Sequence, residues 1–554
     1  MPSLPTLHIA EYESFTQDDI KICLDKFCRS KNKSLNFIES KAQKIFAELQ
    51  EFVKQKNNGS FLRFWGSNTL KAQNYVGLIQ TKSGFCVEIL PKTFDKDFGG
   101  DNLCDYHKGN TNKAPKIKFG KQKFATKVEE CLKHITSNPK AIAENKESKN
   151  QNAQQDRPQC SICQSKQILL NCLATLKNSP FKQSHIASLQ SLNLPLLEVF
   201  IQMFLAELER LIHRGLKSDY REIAQNRAFL KGKLLFNEQI KHNLIHKERF
   251  FTQSDEYSLN SAPNRLIKRT LEFLRILSLS SKTRTKLDSL YFIFEEIMPS
   301  SHIERDFAKC KSMRRFKEYE LVLLWCAIFL RQKSFSAYSG SERAFALLFP
   351  MERLFESFVG HWLGRSIEHH EIKLQEQRYH FMQDFQKVDI FQLKPDVIMR
   401  SESEILILDT KWKIPDSTND EKRYGIAQSD VYQMWAYASK YALESTLQNT
   451  KSKLDSKGIK SQKATEITEL ESSTDCKKIE ANKPKQLKVW LIYPLCERTK
   501  ALQEKWQKPT QGQPKQWYFK ASIPHNKSHK THEENQENGA ISLFVAFFPL
   551  TDWY

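Results

Sequence analysis

Lys394-Pro-Asp-Val-Ile-Met-Arg400, then Ser401-Glu-Ser-Glu404, then Ile405-Leu-Ile-Leu-Asp-Thr-Lys411-Trp-Lys413 is the stretch on which the fold of this chain turns. Phe391 to Met399 and Ile405 to Trp412 read as strands joined by the polar turn 401–404, since aliphatic runs bounded by turn residues form strands. Side chains alternate along a strand, so Asp409 and Lys411 share one face and Thr410 takes the other. A hairpin through the turn folds Asp396 back toward Asp409. Two carboxylates and an ammonium then meet at one strand end, an arrangement suited to holding Mg²⁺ by oxygen ligands beside a charge-stabilising lysine. The bare triplet carries little, because Glu39-Ser-Lys41, Glu147-Ser-Lys149, Glu371-Ile-Lys373 and Asp455-Ser-Lys457 also occur. What singles out this copy is that it closes an aliphatic run, where charge is costly, with Pro-Asp one hairpin upstream. The alternative is a strand leaving the core with Asp409 and Lys411 as a solvated ion pair.

Outward from this stretch, Phe345 to Leu363 has helical periodicity before it and Gln428 to Leu443 after it, giving the order helix, strand, strand, helix. Leu487 to Tyr493 and Ile541 to Phe548 read as further strands. The predicted C-terminal domain, 341–554, is a mixed sheet flanked by helices, with polar insertions at 446–486 and 505–538. Upstream, 167–340 is mainly helical, with apolar residues at three- and four-residue spacing from Ile168 to Arg214, Asn264 to Leu279 and Phe316 to Leu330. Residues 137–166 are polar and nearly free of aromatics, a linker composition. Residues 1–136 read as a small β-containing domain, with strands at Tyr75 to Gln80 and Phe85 to Leu90 around the turn 81–84. The fold class expected is therefore α+β and multidomain.

Composition narrows function less than it narrows class. The 554 residues carry 85 Lys and Arg against 64 Asp and Glu, a net charge of +21, which favours a polyanionic partner. No apolar run reaches membrane-spanning length and no apolar leader opens the chain, so it reads as cytoplasmic, without a membrane partner. Twelve scattered cysteines fit reduced thiols. Cys160 and Cys163 form the single CxxC, either solvated loop thiols or half of a zinc site completed by Cys172 and His185. A region at about 226–269 mixes basic residues, among them Arg265, Lys268 and Arg269, with Phe229, Phe236, Phe250, Phe251 and Tyr257, which suits phosphate contacts or a protein interface. No G-x-x-x-x-G-K-[ST] occurs, so the chain is not expected to bind GTP itself.

Glu352 and Glu356 on the first helix, Pro-Asp396, Asp409-x-Lys411 and Gln433-Met-Trp-Ala-Tyr437 together resemble the PD-(D/E)xK nuclease core with its QxxxY element. Val87-Glu-Ile-Leu-Pro-Lys92, Leu230-Lys-Gly-Lys-Leu-Leu235, Asn237-Glu-Gln-Ile-Lys-His-Asn243, Asn264-Arg-Leu-Ile-Lys268, Phe349-Pro-Met-Glu-Arg-Leu-Phe-Glu356 and Ser429-Asp-Val-Tyr-Gln433 are similar to the McrC family, in order along the chain. That resemblance implies the endonuclease subunit of a GTP-dependent, modification-directed restriction complex. It implies that Asp396, Asp409 and Glu356 (or Glu352, one turn away) bind Mg²⁺, that Lys411 assists attack on the phosphodiester, and that Gln433 and Tyr437 brace the site or touch DNA. It also implies an McrB-like AAA+ GTPase partner, which binds the GTP, docks on the 226–269 insert and is stimulated through Arg265, Lys268 or Arg269, and a modified double-stranded DNA, 5-methylcytosine being the family's target. The rivals are a non-catalytic adaptor of the GTPase and a repair exonuclease of the same core fold.

Overall fold

A computed structural model describes residues 6–28, 35–55, 58–93, 160–176, 179–182, 194–277, 279–312, 314–331, 344–367, 370–416, 418, 423–455, 486–507, 518–522 and 540–551, with the isolated positions 127, 128, 131 and 135. The chain forms two compact units, 1–118 with 157–351, and 119–156 with 352–554.

In the first unit, β1 (Thr6–Ala10), β2 (Ser14–Thr16), α1 (Gln17–Cys28), α2 (Leu35–Lys54), β3 (Leu62–Phe64), β4 (Thr69–Ala72), β5 (Tyr75–Thr81) and β6 (Cys86–Leu90) come first. The helices α3 (Ser161–Ala174) and α4 (Leu196–His213) follow. Next are β7 (Asp219–Arg227), β8 (Lys233–Leu234), α5 (Phe236–Asn243) and β9 (Phe250–Ser258). The unit closes with α6 (Ala262–Ile276), α7 (Ser281–Ile293), α8 (Ile303–Ser312), α9 (Glu320–Arg331) and β10 (Ala344–Pro350).

The strand order β1-β6-β5-β10 makes one sheet, β2-β4-β3 a second and β7-β9-β8 a third. In β10 the alternation is legible in the contacts: Ala346 and Leu348 join the core with α1 and α2, whereas Phe345 and Phe349 meet the aromatic cluster of Phe181, Phe200 and Phe329. Gly77 in β5 (φ +135°) lies so close to β10 that a Cβ there would stand 2.1 Å from the Leu347 carbonyl oxygen. Only glycine fits that approach. On β6, Glu88 is fully buried and contacts Lys166 Nζ of α3 at 2.9 Å and His8 Nε2 of β1 at 3.1 Å. It also accepts from the Leu196 amide at the start of α4 at 2.5 Å.

The second unit contains α10 (Met351–Ser366), β11 (Glu371–Leu374), β12 (His380–Gln383), β13 (Asp389–Gln392), β14 (Val397–Arg400), β15 (Glu404–Thr410), α11 (Gln428–Asp455), β16 (Gln486–Leu495), α12 (Glu497–Gln507), β17 (Tyr518–Ser522) and β18 (Ala540–Pro549). Its main sheet runs β11-β14-β15-β16-β18-β17, parallel across β15, β16 and β18 and antiparallel elsewhere. Ile405 and Ile407 of β15 pack with Met434, Tyr437, Ala438 and Tyr441 of α11 over this sheet.

The architecture is mixed α and β in more than one unit, as the sequence led one to expect, but several boundaries move. Residues 345–350, the start of the helix expected over Phe345 to Leu363, belong instead to the edge strand β10, because their apolar residues serve both faces of a sheet and Pro350 ends the strand. The second unit accordingly starts near 352 and not at 341. The expected N-terminal β domain and helical middle share one unit, to which the unforeseen α1 and α2 contribute. The expected strand 391–399 is broken: β13 pairs with β12 in a separate ribbon, and Pro395, with no amide hydrogen to give a ladder, stands before β14. Helix α3 begins inside the expected linker, and Cys160 and Cys163 are buried at its start, not in a solvated loop; residues 137–159 lie outside the described residues. Helix α11 continues to Asp455, into the expected insertion 446–486. The expected insertion 505–538 contains β17; 456–485, 508–517 and 523–539 lie outside the described residues.

Candidate active site

The hairpin β14–β15 is closed by Ser401, whose amide donates to the Glu404 carbonyl at 2.9 Å. Val397 pairs with Leu408, so the next residue back, Asp396, comes alongside the C-terminal end of β15. There the Thr410 amide and hydroxyl donate to Asp396 Oδ2 at 2.7 and 2.6 Å. The β ladder runs on one step, the Lys411 amide donating to the Ile492 carbonyl at 2.8 Å. Lys411 Nζ is ion-paired with the buried carboxylate of Asp409.

Helix α11 supplies the next layer. Lys411 Nζ donates to Gln433 Oε1 at 2.8 Å, and the Gln433 amide faces Asp409 Oδ1 at 3.5 Å and the Tyr437 hydroxyl at 2.7 Å. Tyr437 in turn donates to the Lys394 carbonyl at 3.1 Å, immediately before Pro395 and Asp396. The i, i+4 spacing of Gln433 and Tyr437 puts both on one helix face, so one helix braces the lysine, one aspartate and the segment leading to the other.

Glu356 on α10 accepts a hydrogen bond from the Gln375 side chain, while the Gln375 backbone amide donates to the Asp396 carbonyl at 2.9 Å. Glu352 is exposed. The two candidates for the helix acid are thereby separated, and Glu356 is the one the geometry brings to Asp396.

The electrostatics follow from burial and crowding. Burial, then the charge of Asp396, pushes the Asp409 carboxyl up to about 7 against the opposing pull of Lys411. Burial raises Asp396 as well, despite the Thr410 hydrogen bonds and Lys411. Burial and then Asp396 raise Glu356. For Lys411, burial alone would lower the ammonium, but Asp409, Asp430 and Asp396 outweigh it and its pKa stands raised. Carboxylates held above their ordinary range by burial and by one another are what an added cation relieves.

The donors suit a hard, oxygen-seeking ion such as Mg²⁺. Among the described residues, however, no three His, Cys, Asp or Glu side chains are gathered closely enough to hold an ion as they stand. Lys411 pairs with Asp409 Oδ2 and the Gln375 side chain donates to Glu356, so a cation held here would share these carboxylates with both groups.

Three supporting residues escaped the sequence reading. Asp430 is buried and paired with Lys413 at 2.7 Å; Gln375 and Thr410 orient Glu356 and Asp396. A signal existed for Asp430, an acid three residues before Gln433 at the start of a helix; for Gln375 there was none. The competing triplet Glu371-Ile-Lys373 is a solvated ion pair at 2.9 Å on the edge strand β11.

The basic candidates in the first unit come apart. Arg265 makes a two-pronged contact with the buried Asp306 at 2.7 and 3.2 Å and donates to the Asn260 carbonyl. Lys268 is 4% exposed with Nζ 3.6 Å from the Tyr291 ring centroid. Only Arg269, half exposed and near Glu272, faces solvent. The helical face that carries 265 and 268 is the packed one, which corrects their expected role as surface contacts. The insert instead exposes Phe229, Leu230, Phe236, Ile240, Leu244 and Ile245 around α5.

Residues 70–447, well over half of the chain, match the family described as McrBC 5-methylcytosine restriction system component. The chain belongs to the McrBC family. No curated relative matches it. Among solved structures, a chain from the refined half-complex of the tetradecameric assembly of Thermococcus gammatolerans McrB AAA+ hexamers with bound McrC is similar, with TM-score 0.51 and 13% identity over 99% of this chain and 95% of that one. A chain of the Thermococcus gammatolerans McrBC complex aligns with TM-score 0.33 and 17% identity over 65% of this chain and 87% of that one. A restriction-system component of the McrBC family with a mixed α and β fold is thus established, and no helix among the described residues is long and apolar enough to cross a membrane.

Proposed function

We propose that this McrBC family member is the McrC-like nuclease subunit of its complex, a PD-(D/E)xK endonuclease that hydrolyses DNA phosphodiester bonds with Mg²⁺. The observation that carries the reading is the group Asp396, Asp409 and Lys411 at the end of β15, with both acids pushed up by burial and one ammonium between them and Gln433. A buried acid pair of this kind disfavours folding unless it serves a charged ligand. Asp396, Asp409 and Glu356 would hold Mg²⁺, which when bound supplies charge neutralisation and a more acidic water. Lys411, fixed by Asp409 and Gln433, would face the negative charge that builds on the phosphate. Tyr437 and Gln433 keep the Lys394–Asp396 segment and the lysine in register.

The substrate is double-stranded DNA carrying a modified cytosine, in keeping with the family's 5-methylcytosine description. The partner is an McrB-like AAA+ GTPase, which binds the GTP; the relative of similar fold comes from an assembly of McrB hexamers with McrC. The exposed apolar residues around α5 fit a docking contact on such a ring, and Arg269 is the candidate for acting on its nucleotide site.

The test is cleavage of a covalently closed, cytosine-methylated plasmid by the reconstituted complex. Cutting that needs GTP and Mg²⁺ and stops with chelator is expected; a closed circle left intact while linear DNA is degraded from its ends would replace the endonuclease with an exonuclease. Phe236→Asp with Ile245→Asp should abolish stimulation of GTP hydrolysis while the chain stays folded, and unchanged stimulation would remove α5 from the interface.

A further inference from the structure

The sheet β2-β4-β3 carries an exposed face that the nuclease reading leaves unused. Arg63 pairs with Lys71, and Lys71 pairs with Ser14 on the other side. Alternation places Arg63, Trp65, Thr69, Lys71, Ser14 and Thr16 on one face, while Leu62, Leu70, Ala72 and Phe15 fill the core behind it. Trp65 is 54% exposed, an unusual exposure for so large an apolar ring. Two cations attend it: Lys71 Nζ lies 4.3 Å and Arg63 Cζ 5.3 Å from the ring centroid.

Both cations come from strand positions, whereas Trp65 directly follows β3, its amide donating to the Thr69 carbonyl at 2.9 Å. The turn Gly66-Ser67-Asn68 follows the ring, and at Gly66 (φ +90°) an added Cβ would meet nothing within 4 Å. Of the acids around this sheet, Asp19 is engaged by the Thr16 amide and hydroxyl at 2.8 and 3.0 Å, and Glu13 by the Ala10 amide at 2.7 Å. The strand positions of the face itself are cationic, hydroxylic or aromatic.

A half-exposed aromatic ring flanked by cations is the combination that takes a base by stacking and its phosphates by charge. We propose that this face binds a single strand of DNA, an unpaired base lying on the Trp65 indole and the adjoining phosphates on Arg63 and Lys71. A base within a duplex has both faces covered by its neighbours, so the site distinguishes an opened strand from intact DNA. This inference does not rest on the nuclease assignment, since the sheet β2-β4-β3 lies in the first unit.

The experiment uses the full chain in chelator, with a labelled oligothymidylate and a blunt duplex followed by fluorescence anisotropy across a salt series. Trp65→Ala is expected to weaken oligothymidylate binding on the order of tenfold, the effect of losing one stacked base, with duplex binding little changed; Trp65→Phe should recover most of the loss. Arg63→Gln with Lys71→Gln should reduce the slope of log affinity against log salt by about 1.4, since each phosphate contact on a single strand contributes about 0.7. A bromodeoxyuridine-substituted strand should photocrosslink at Trp65. Unchanged oligothymidylate affinity in Trp65→Ala would overturn the proposal, as would an equal loss on duplex, which marks a general phosphate patch. Loss of GTPase association with unchanged DNA binding would equally overturn it in favour of a protein contact.

Discussion

Two buried carboxylates in this protein each lie against a lysine, and their surroundings drive them in opposite directions. For Glu88, burial alone would raise the carboxyl, but Lys166 and His8 outweigh it and hold the group down at about 2. Both its oxygens are occupied, by the Leu196 amide on one side and by Lys166 and His8 on the other. Asp409 is also ion-paired with a lysine, yet stands at about 7, because burial is joined by a second acid, Asp396, and more weakly by Asp430. A pair whose charges are balanced joins β1, β6, α3 and α4 of one unit. The other pair carries surplus negative charge, which an added cation would offset.

The largest effect expected from this contrast is on stability at the balanced pair. Lys166→Ala leaves the buried Glu88 with a histidine and the Leu196 amide but no lysine, and should cost roughly 3–5 kcal/mol, read from urea unfolding. Glu88→Gln with Lys166→Met should restore much of it. A single change that cost nothing would show that the pair does not hold β1, β6, α3 and α4 together.

Arg265→Ala, which strips the buried Asp306 of its two-pronged partner, should cost roughly 2–3 kcal/mol. Arg269→Ala should cost less than about 0.5 kcal/mol, as exposed pairs do. Reversed magnitudes would return Arg265 to the surface role that its sequence context suggested.

At the unbalanced pair the sign changes. Asp409→Asn in the metal-free protein should leave stability unchanged or raise it by up to about 1 kcal/mol, since it removes a crowded charge. The pH dependence separates the pairs further. An unfolded aspartate titrates near about 4, below the folded Asp409 at about 7, so the native state holds the extra proton and this site's contribution falls as pH rises between those values. Glu88, lowered to about 2, contributes in full above the ordinary glutamate range and loses its contribution as pH falls toward 2. Added Mg²⁺ should flatten the Asp409 dependence and leave that of Glu88 alone, which thermal unfolding across pH measures directly.

How far these sites were legible in the sequence depends on what each is made of. The hairpin that brings Asp396 to Asp409, and the helix that presents Gln433 and Tyr437, are local: two strands, one turn and an i, i+4 step fix them, and the residues could be read off the chain. The separation of Glu356 from Glu352 needed Gln375, which reaches Glu356 only because β11 pairs with β14. Glu88 and Lys166 stand far apart in sequence, and Glu88 sits in a run that reads simply as a strand; their pairing is a product of tertiary packing. The same holds for β10, whose apolar run mimics a helix because both its faces are buried. Arg265 and Lys268 read as a basic surface since composition carries no information on which face of α6 is packed.

The surplus charge at the end of β15 is proposed to be a catalytic metal centre, and the most direct measurement of this is plasmid cleavage by the complex assembled with Asp409→Asn, scored beside GTP turnover in the same tube. The predicted result is a loss of cutting on the order of a hundredfold to a thousandfold or more with GTP hydrolysis still stimulated. Cutting at the wild-type rate by Asp409→Asn would contradict it.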